Sequence, residues 1–188
     1  MSTKKCCIYA AFGVSQAPNR KQGKEGEAGQ DRGEPGFANR SPEKRGMCMI
    51  RKFERADTEQ VMGIWLEANL EAHAFIPGEY WRSQYEAVEE QLSQAEIYVY
   101  EREQNIQGFA GMVGDYLAGI FVDGKSRCAG IGRSLLTCIK RNYPAFSLHV
   151  YQKNRRAVDF YLREGLSVVS EGVDEDTKEA DYTMEWKE

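Results

Sequence analysis

The stretch "GIFVDGKSRCAGIGRSLL", Gly119 to Leu136, places an apolar run, a charged turn and two glycines directly before a helical pattern. A strand that ends at Val122 and a helix that begins near Gly130 leave the first backbone N–H groups of the helix pointing into the joint. The positive end of the helix dipole adds to their effect. Gly130 and Gly132 allow an anion to approach the backbone closely. We therefore expect an anion site at this joint.

The side chains of the joint favour a phosphate without favouring triphosphate hydrolysis. Arg127 and Arg133 add positive charge, and Ser134 can donate a hydroxyl hydrogen bond. A Walker loop requires a lysine followed by a hydroxyl residue, and a dinucleotide fingerprint requires three glycines at a fixed spacing. The joint has neither pattern. Taken alone, its two glycines do not exclude a tight turn before a helix.

Strand and helix patterns alternate along the body of the chain. Apolar alternation predicts strands in "MIRKFERA", "IYVYE", "IQGFAGMVG", "YLAGIFV" and "AFSLHVY", and two more strands close the chain. Helical periodicity predicts four helices. The first follows a predicted capping box at Asp57 and Gln60, and the second begins near Glu79. The third is "GIGRSLLTCIKRN" and the fourth is "NRRAVDFYLREG", whose end is at Gly165. This order predicts an α/β fold whose mixed sheet is covered by helices on both faces.

Length and composition indicate one domain preceded by a tail. A chain of 188 residues can build one sizeable core. Between residues 18 and 45, Phe37 is the only large apolar side chain, and such a segment cannot bury enough surface to offset its ordering entropy. We therefore expect a disordered tail, or an extension upstream of the natural start, over residues 1–46. One domain should occupy residues 47–188.

Charge and cysteine content narrow the class of function. The net charge is −4 for the whole chain and +4 for residues 1–46, so residues 47–188 carry −8. An acidic body disfavours nucleic acid and suits cationic partners such as amines. Five cysteines without zinc spacing favour a reducing compartment without a disulfide framework or a structural metal. We therefore expect a cytoplasmic protein, as a monomer or homodimer. We expect no membrane partner, because no apolar run approaches the roughly 18 residues of a membrane helix.

The order of elements and the pattern R-x-x-G-x-G, Arg127 to Gly132, together resemble the acetyl-CoA site of the GNAT superfamily of N-acetyltransferases. The resemblance covers roughly residues 49–186 and is to bacterial amino-group acetyltransferases. It implies a mixed, mostly antiparallel sheet of six to seven strands with about four helices, and acetyl-CoA as co-substrate without a metal. The implied pantetheine contacts are the backbones of Ile120, Phe121 and Val122, and the implied pyrophosphate contacts are Arg127, Cys128, Ala129, Gly130, Ile131, Gly132, Arg133 and Ser134.

A second feature of the resemblance is "YQKNRRAVDFYLREGL", Tyr151 to Leu166. Family members place an asparagine at the head of this helix against the cofactor, here Asn154, and a tyrosine near the thioester sulfur, here Tyr161. The alternatives are a simple N-cap for Asn154 and core packing for Tyr161. An alkylammonium has a pKa of about 10.4, so transfer to an amine also needs a base. Many family members use a glutamate where this chain has His149, which is either the base or a structural histidine.

The segment "AHAFIPGEYW", Ala72 to Trp81, resembles the region that walls the acceptor pocket in bacterial members of the family. Its candidates for substrate contact are His73, Phe75, Tyr80 and Trp81, with plain packing as the alternative. The sequence as a whole predicts an acetyl-CoA-dependent N-acetyltransferase acting on a primary amine by direct transfer in a ternary complex. The acceptor is a protein lysine, a peptide N-terminus or a small amine. The alternative is a non-catalytic acyl-CoA-binding regulatory module.

Overall fold

The computed structural model describes residues 48–188, so the predicted tail at residues 1–46 lies outside the described residues. The described part of the chain forms a seven-stranded sheet and four α-helices, which confirms the predicted fold class. No helix in this part is long and apolar enough to cross a membrane. The strands are β1 (Cys48–Lys52), β2 (Glu96–Arg102), β3 (Asn105–Val113), β4 (Tyr116–Val122), β5 (Ala145–Tyr151), β6 (Ser167–Val173) and β7 (Ala180–Lys187), and the helices are α1 (Thr58–Ala72), α2 (Gly78–Gln91), α3 (Ile131–Asn142) and α4 (Arg155–Arg163).

The strands are arranged in the order β1-β2-β3-β4-β5-β7-β6, and every neighbouring pair except β4 and β5 is antiparallel. The turn between β2 and β3 contains Glu103 and Gln104, both with positive φ, as a tight hairpin requires. Strands β4 and β5 run parallel, and parallel neighbours need a crossover connection, which α3 supplies.

The sheet opens between β4 and β5. These strands pair only where Tyr116 faces Ser147, whereas each other neighbouring pair is matched at five or more positions. Where the strands part, the backbone N–H of His149 donates to the Tyr116 hydroxyl at 3.3 Å, which replaces a lost ladder bond. The carboxyl ends of β4 and β5 therefore border an opening, and α3 and α4 both begin just beyond those ends. Ligands of open α/β sheets bind at such a position.

Two apolar clusters cover the two faces of the sheet. Helices α3 and α4 pack on one face, where Leu148 and Val150 of β5 contribute to the core. Helices α1 and α2 pack on the other face, where Tyr151 contributes. Successive side chains of a strand alternate between faces, so His149 lies on the α1/α2 face.

The start of α1 differs from the sequence-based expectation. Asp57 precedes the helix but makes no side-chain cap hydrogen bond to it, so the predicted capping box with Gln60 is wrong. The Asp57 carboxylate instead accepts hydrogen bonds from the Arg51 guanidinium at 2.6 and 2.9 Å, which lowers its pKa. Gln60 accepts a hydrogen bond from the backbone N–H of Ile106 at 3.0 Å and thereby ties α1 to β3.

Candidate active site

The joint between β4 and α3 has the geometry of an anion seat. Gly130 precedes α3 with φ of 80°, in the left-handed region that favours glycine, and the space where a Cβ would lie is open. The first backbone hydrogen bond of the helix runs from Ser134 N–H to the Gly130 carbonyl at 3.0 Å. The N–H groups of residues 131–133 precede that bond and are not used by the helix. They are therefore available to a phosphate, supported by the helix dipole.

The polar side chains predicted around this seat have protein partners in the structure. Arg127 forms an ion pair with Glu71 of α1, and Nε of Arg133 lies 3.5 Å from the Glu164 carboxylate. The Ser134 hydroxyl donates to the Gly130 carbonyl at 3.1 Å. A guanidinium has five N–H donors, so one carboxylate partner leaves donors for a phosphate. Phosphate contacts from these three side chains stay predictions.

The first turn of α4 lies beside the same joint. Asn154 is the N-cap of α4, and its Oδ1 accepts a hydrogen bond from Ala157 N–H at 3.2 Å. The Arg156 guanidinium lies 4.0 Å from Sγ of Cys128, so it brings a positive charge to the loop. The sequence analysis missed Arg156, although its place in the basic start of a helix, "NRRA", is a signal that could have found it. Asn154 therefore has the cap role of the simpler interpretation and also borders the opening.

The residues at the opening fit the two polar parts of acetyl-CoA. Strand β4 pairs with β3 along one edge up to Val122, and beyond Tyr116 its other edge faces the opening. An unpaired strand edge presents N–H and C=O groups that an extended amide chain can bond. The end of this edge leads into the anion seat before α3. The unpaired edge of β4 and then the anion seat therefore occur in the same order as the amide arm and the pyrophosphate of acetyl-CoA.

Tyr161 lies in the core on the α3/α4 face and is 7% exposed. Burial raises the pKa of its hydroxyl above the usual value of about 10, so the proton is retained at neutral pH. No hydrogen-bond partner for this hydroxyl occurs among residues 48–188. The group is therefore chemically able to donate a hydrogen bond to a ligand that reaches it.

His149 lies on the α1/α2 face, across the sheet from Tyr161. Its Nε2 is 3.1 Å from the Thr183 hydroxyl, while its Nδ1 is buried and has no partner in the described part of the chain. Burial lowers the pKa of the imidazole, and the nearby Asp181 and Asp174 carboxylates oppose that shift. The ring is therefore neutral at pH 7 and has a lone pair, as a general base requires.

Two buried carboxylates lie near His149. Asp181 is 6% exposed and Asp174 is 3% exposed. Asp174 accepts hydrogen bonds from the backbone and hydroxyl of Thr177, at 2.7 and 2.8 Å. Asp181 faces Tyr151 in the β5–β7 register, and burial raises its pKa. The sequence analysis did not identify either aspartate, although alternation in "ADYTMEW" places Asp181 and Thr183 on one face of β7.

The four predicted acceptor-site residues form one aromatic cluster with Tyr151. The His73 ring stacks on Trp81 with centroids 5.2 Å apart, and its edge contacts Phe75 and Tyr151. Tyr80 meets Trp81 at 5.1 Å. Phe75 and Tyr80 are half-buried, whereas Trp81 is 1% exposed and packs against the face of the His73 ring. Substrate contact by these residues stays a prediction, and Phe75 and Tyr80 have more accessible surface than Trp81.

Residues 59–185 match the family described as "Acetyltransferase (GNAT) domain". The chain is 33% identical over 140 residues to the peptidyl-lysine N-acetyltransferase YiaC of Escherichia coli, and the alignment covers 73% of this chain and 96% of that protein. It is 29% identical over 121 residues to the peptidyl-lysine N-acetyltransferase YjaB of the same organism, covering 63% of this chain and 82% of YjaB.

Solved structures share the fold. The solution structure of apo-form YjaB from Escherichia coli superposes with a TM-score of 0.67 at 24% identity, covering 74% of this chain and 97% of YjaB. The protein yncA from Salmonella typhimurium, solved with its cofactor acetyl-CoA, superposes with a TM-score of 0.55 at 18% identity, covering 75% of this chain and 94% of yncA. This chain therefore shares its fold with these two proteins.

Proposed function

Because this chain belongs to the GNAT acetyltransferase family, we propose that it transfers the acetyl group of acetyl-CoA to the side-chain amine of a lysine in a protein or peptide. Two relatives named peptidyl-lysine N-acetyltransferases support the acceptor class. The observation that carries the proposal is the pair of buried carboxylates, Asp174 and Asp181, beside a neutral His149 on one side of the sheet opening. A cationic amine suits such an acidic environment.

Acetyl-CoA supplies an activated thioester, and the chain holds and orients it. In our proposal the free N–H groups of residues 131–133 bind the pyrophosphate, with Arg127, Arg133 and Arg156 contributing positive charge. The β4 backbone from Ile120 to Val122 forms hydrogen bonds with the pantetheine amides. The acetyl end then lies within the opening of the sheet, between the Tyr161 face and the His149 face.

The acceptor amine must lose a proton before it attacks. The carboxylates of Asp181 and Asp174 attract the lysine ammonium, and Phe75 and Tyr80 contact its alkyl chain. His149 accepts the proton at Nδ1, directly or through one water, while Thr183 holds the ring at Nε2. A neutral imidazole can take this role because burial keeps its pKa low.

The departing thiolate needs stabilisation on the other side of the opening. Tyr161 keeps its proton at neutral pH and donates it, or a hydrogen bond, to the sulfur as the C–S bond breaks. Direct transfer is favoured because neither Cys128 nor Cys138 suits an acetyl-enzyme. Cys128 lies in the pyrophosphate loop, and burial raises the pKa of Cys138 and weakens it as a nucleophile. The cysteine content favours the cytoplasm as the place of action.

The experiment is a thiol-release assay with acetyl-CoA and matched acceptors. One peptide carries a blocked N-terminus and a single lysine, its partner carries a free N-terminus with alanine in place of the lysine, and spermidine represents small amines. We expect release with the lysine peptide alone. Release with only the second peptide or with spermidine would overturn the lysine assignment. Acetyl-CoA binding without release on any amine would support the non-catalytic module instead.

A further inference from the structure

The C-terminal end of α1 contacts both sides of the sheet opening. Glu71, in the last turn, forms an ion pair with Arg127 in the loop before α3. His73, the C-cap residue, lies 3.2 Å from Asn154, the N-cap residue of α4. One helix end is therefore tied to the segment that follows β4 and to the segment that follows β5.

The hydrogen bonds through His73 have only one consistent direction. Asn69 donates from Nδ2 to the Trp65 carbonyl at 2.9 Å, so its Oδ1 is left to accept from Nδ1–H of His73 at 3.1 Å. Asn154 accepts from Ala157 N–H at Oδ1, so its Nδ2 donates to Nε2 of His73. The imidazole must therefore be neutral with its proton on Nδ1. Burial agrees with this assignment, because it lowers the pKa of His73 to about 4.

We propose that His73 is a positioning residue for acetyl-CoA: it holds the Asn154 amide, and with it the first turn of α4, in the orientation that the cofactor requires. This inference rests on the proposed function. Its basis is that both ring nitrogens are engaged with protein groups, so neither is free for an acceptor amine. The Trp81 ring stacked beneath His73 fixes the imidazole plane.

A positioning role predicts a different kinetic effect from an acceptor-site role. His73→Phe keeps an aromatic ring on Trp81 but removes both the acceptor for Asn154 and the donor to Asn69, and only the first of these bonds reaches α4. Loss of one net hydrogen bond should raise the Kd and the KM for acetyl-CoA about 2- to 12-fold. The KM for the lysine peptide and kcat at saturating acetyl-CoA should change little. His73→Gln keeps an acceptor oxygen near the position of Nε2 and should restore most of the affinity.

A double-mutant cycle separates positioning from general destabilisation. Asn154→Ser keeps an N-cap oxygen for α4 but cannot reach His73. If His73 acts through Asn154, His73→Phe should change the calorimetric Kd for acetyl-CoA less than about 2-fold in the Asn154→Ser background. Val88→Ala, a core change in α2, is the control that lowers stability without touching the opening. It should leave the Kd unchanged.

The outcomes distinguish the positioning role of His73 from the proposed function. Equal effects of His73→Phe in both backgrounds, or a raised KM for the peptide with unchanged acetyl-CoA affinity, would overturn the positioning role. If the His73→Phe protein does not fold, His73→Leu takes its place in the cycle. A wild-type protein that binds no acetyl-CoA would refute the proposed function, and the inference with it. Wild-type binding with additive variants would refute the inference alone.

Discussion

Replacing Gly130 with alanine tests the anion seat, and the chain provides its own control. Gly130 and Gly165 have φ of 80° and 86°, and in both cases no atom beyond the glycine and its two chain neighbours lies within 4 Å of where a Cβ would be placed. Alanine at either position therefore meets backbone strain and no clash. The strain of a left-handed non-glycine residue is about 1–2 kcal/mol. Both variants should lose that much stability, which is a fall in Tm of about 2–8 °C for a chain of this size.

The two variants should differ in cofactor binding. Gly130 lies where the pyrophosphate is proposed to meet the backbone, whereas Gly165 lies beyond the C-terminal end of α4. A methyl group at Gly130 that displaces one hydrogen bond to a charged phosphate should weaken acetyl-CoA binding by about 1.5–3 kcal/mol, or roughly 10- to 150-fold in Kd. Calorimetric titration of both variants measures the difference. Equal Kd values for Gly130→Ala and Gly165→Ala would show that the phosphates bind elsewhere.

Three further changes test the proposed chemistry. Tyr161→Phe should lower kcat by about 100- to 10,000-fold with little change in acetyl-CoA Kd, because the hydroxyl acts mainly as thiolate charge develops; full turnover would remove the acid role. His149 has a lowered pKa, so the rate should fall only when the pH drops below the usual histidine value of about 6.5, and His149→Gln should abolish that acidic limb in a pH–rate profile. An unchanged limb would identify a structural histidine. The Asp181 carboxylate raises the pKa of His149 against the effect of burial. Asp181→Asn should therefore move the acidic limb of the pH–rate profile to lower pH and raise the KM for the lysine peptide. A shift of that limb to higher pH would contradict the assignment of His149 as the base.

Features that depend on neighbouring residues could be predicted from the sequence. The start of α3 after Gly130 and the stop of α4 before Gly165 follow from glycine and helical periodicity, and the structure has both. The opening between β4 and β5 could not be predicted, because local patterns do not specify how far two strands remain paired. The capping box of Asp57 with Gln60 is absent because the Asp57 carboxylate accepts hydrogen bonds from residues that precede it, the Arg51 guanidinium and the backbone N–H of Glu54.

The candidate site also has one part that the sequence predicts and another that depends on the fold. Its cofactor side lies within a few residues of each helix start, so the sequence motifs located it. Its acceptor side depends on pairings over long separations: His149 meets Thr183 through the β5–β7 register, and His73 meets Asn154 81 residues further along the chain. Asp181 enters the site through the same register. Only the folded sheet brings these residues together.

The opening between β4 and β5 also has a consequence for amide hydrogen exchange. Over residues 120–122, β4 is paired with β3 on one edge only, so some of its amides are protected by no ladder on the other edge. In the free protein such amides exchange through small local openings and not through global unfolding. A bound pantetheine arm would supply the missing hydrogen bonds and act as a short extra strand. Exchange at the open edge of β4 should therefore slow by more than exchange in β2, whose two edges are already paired with β1 and β3.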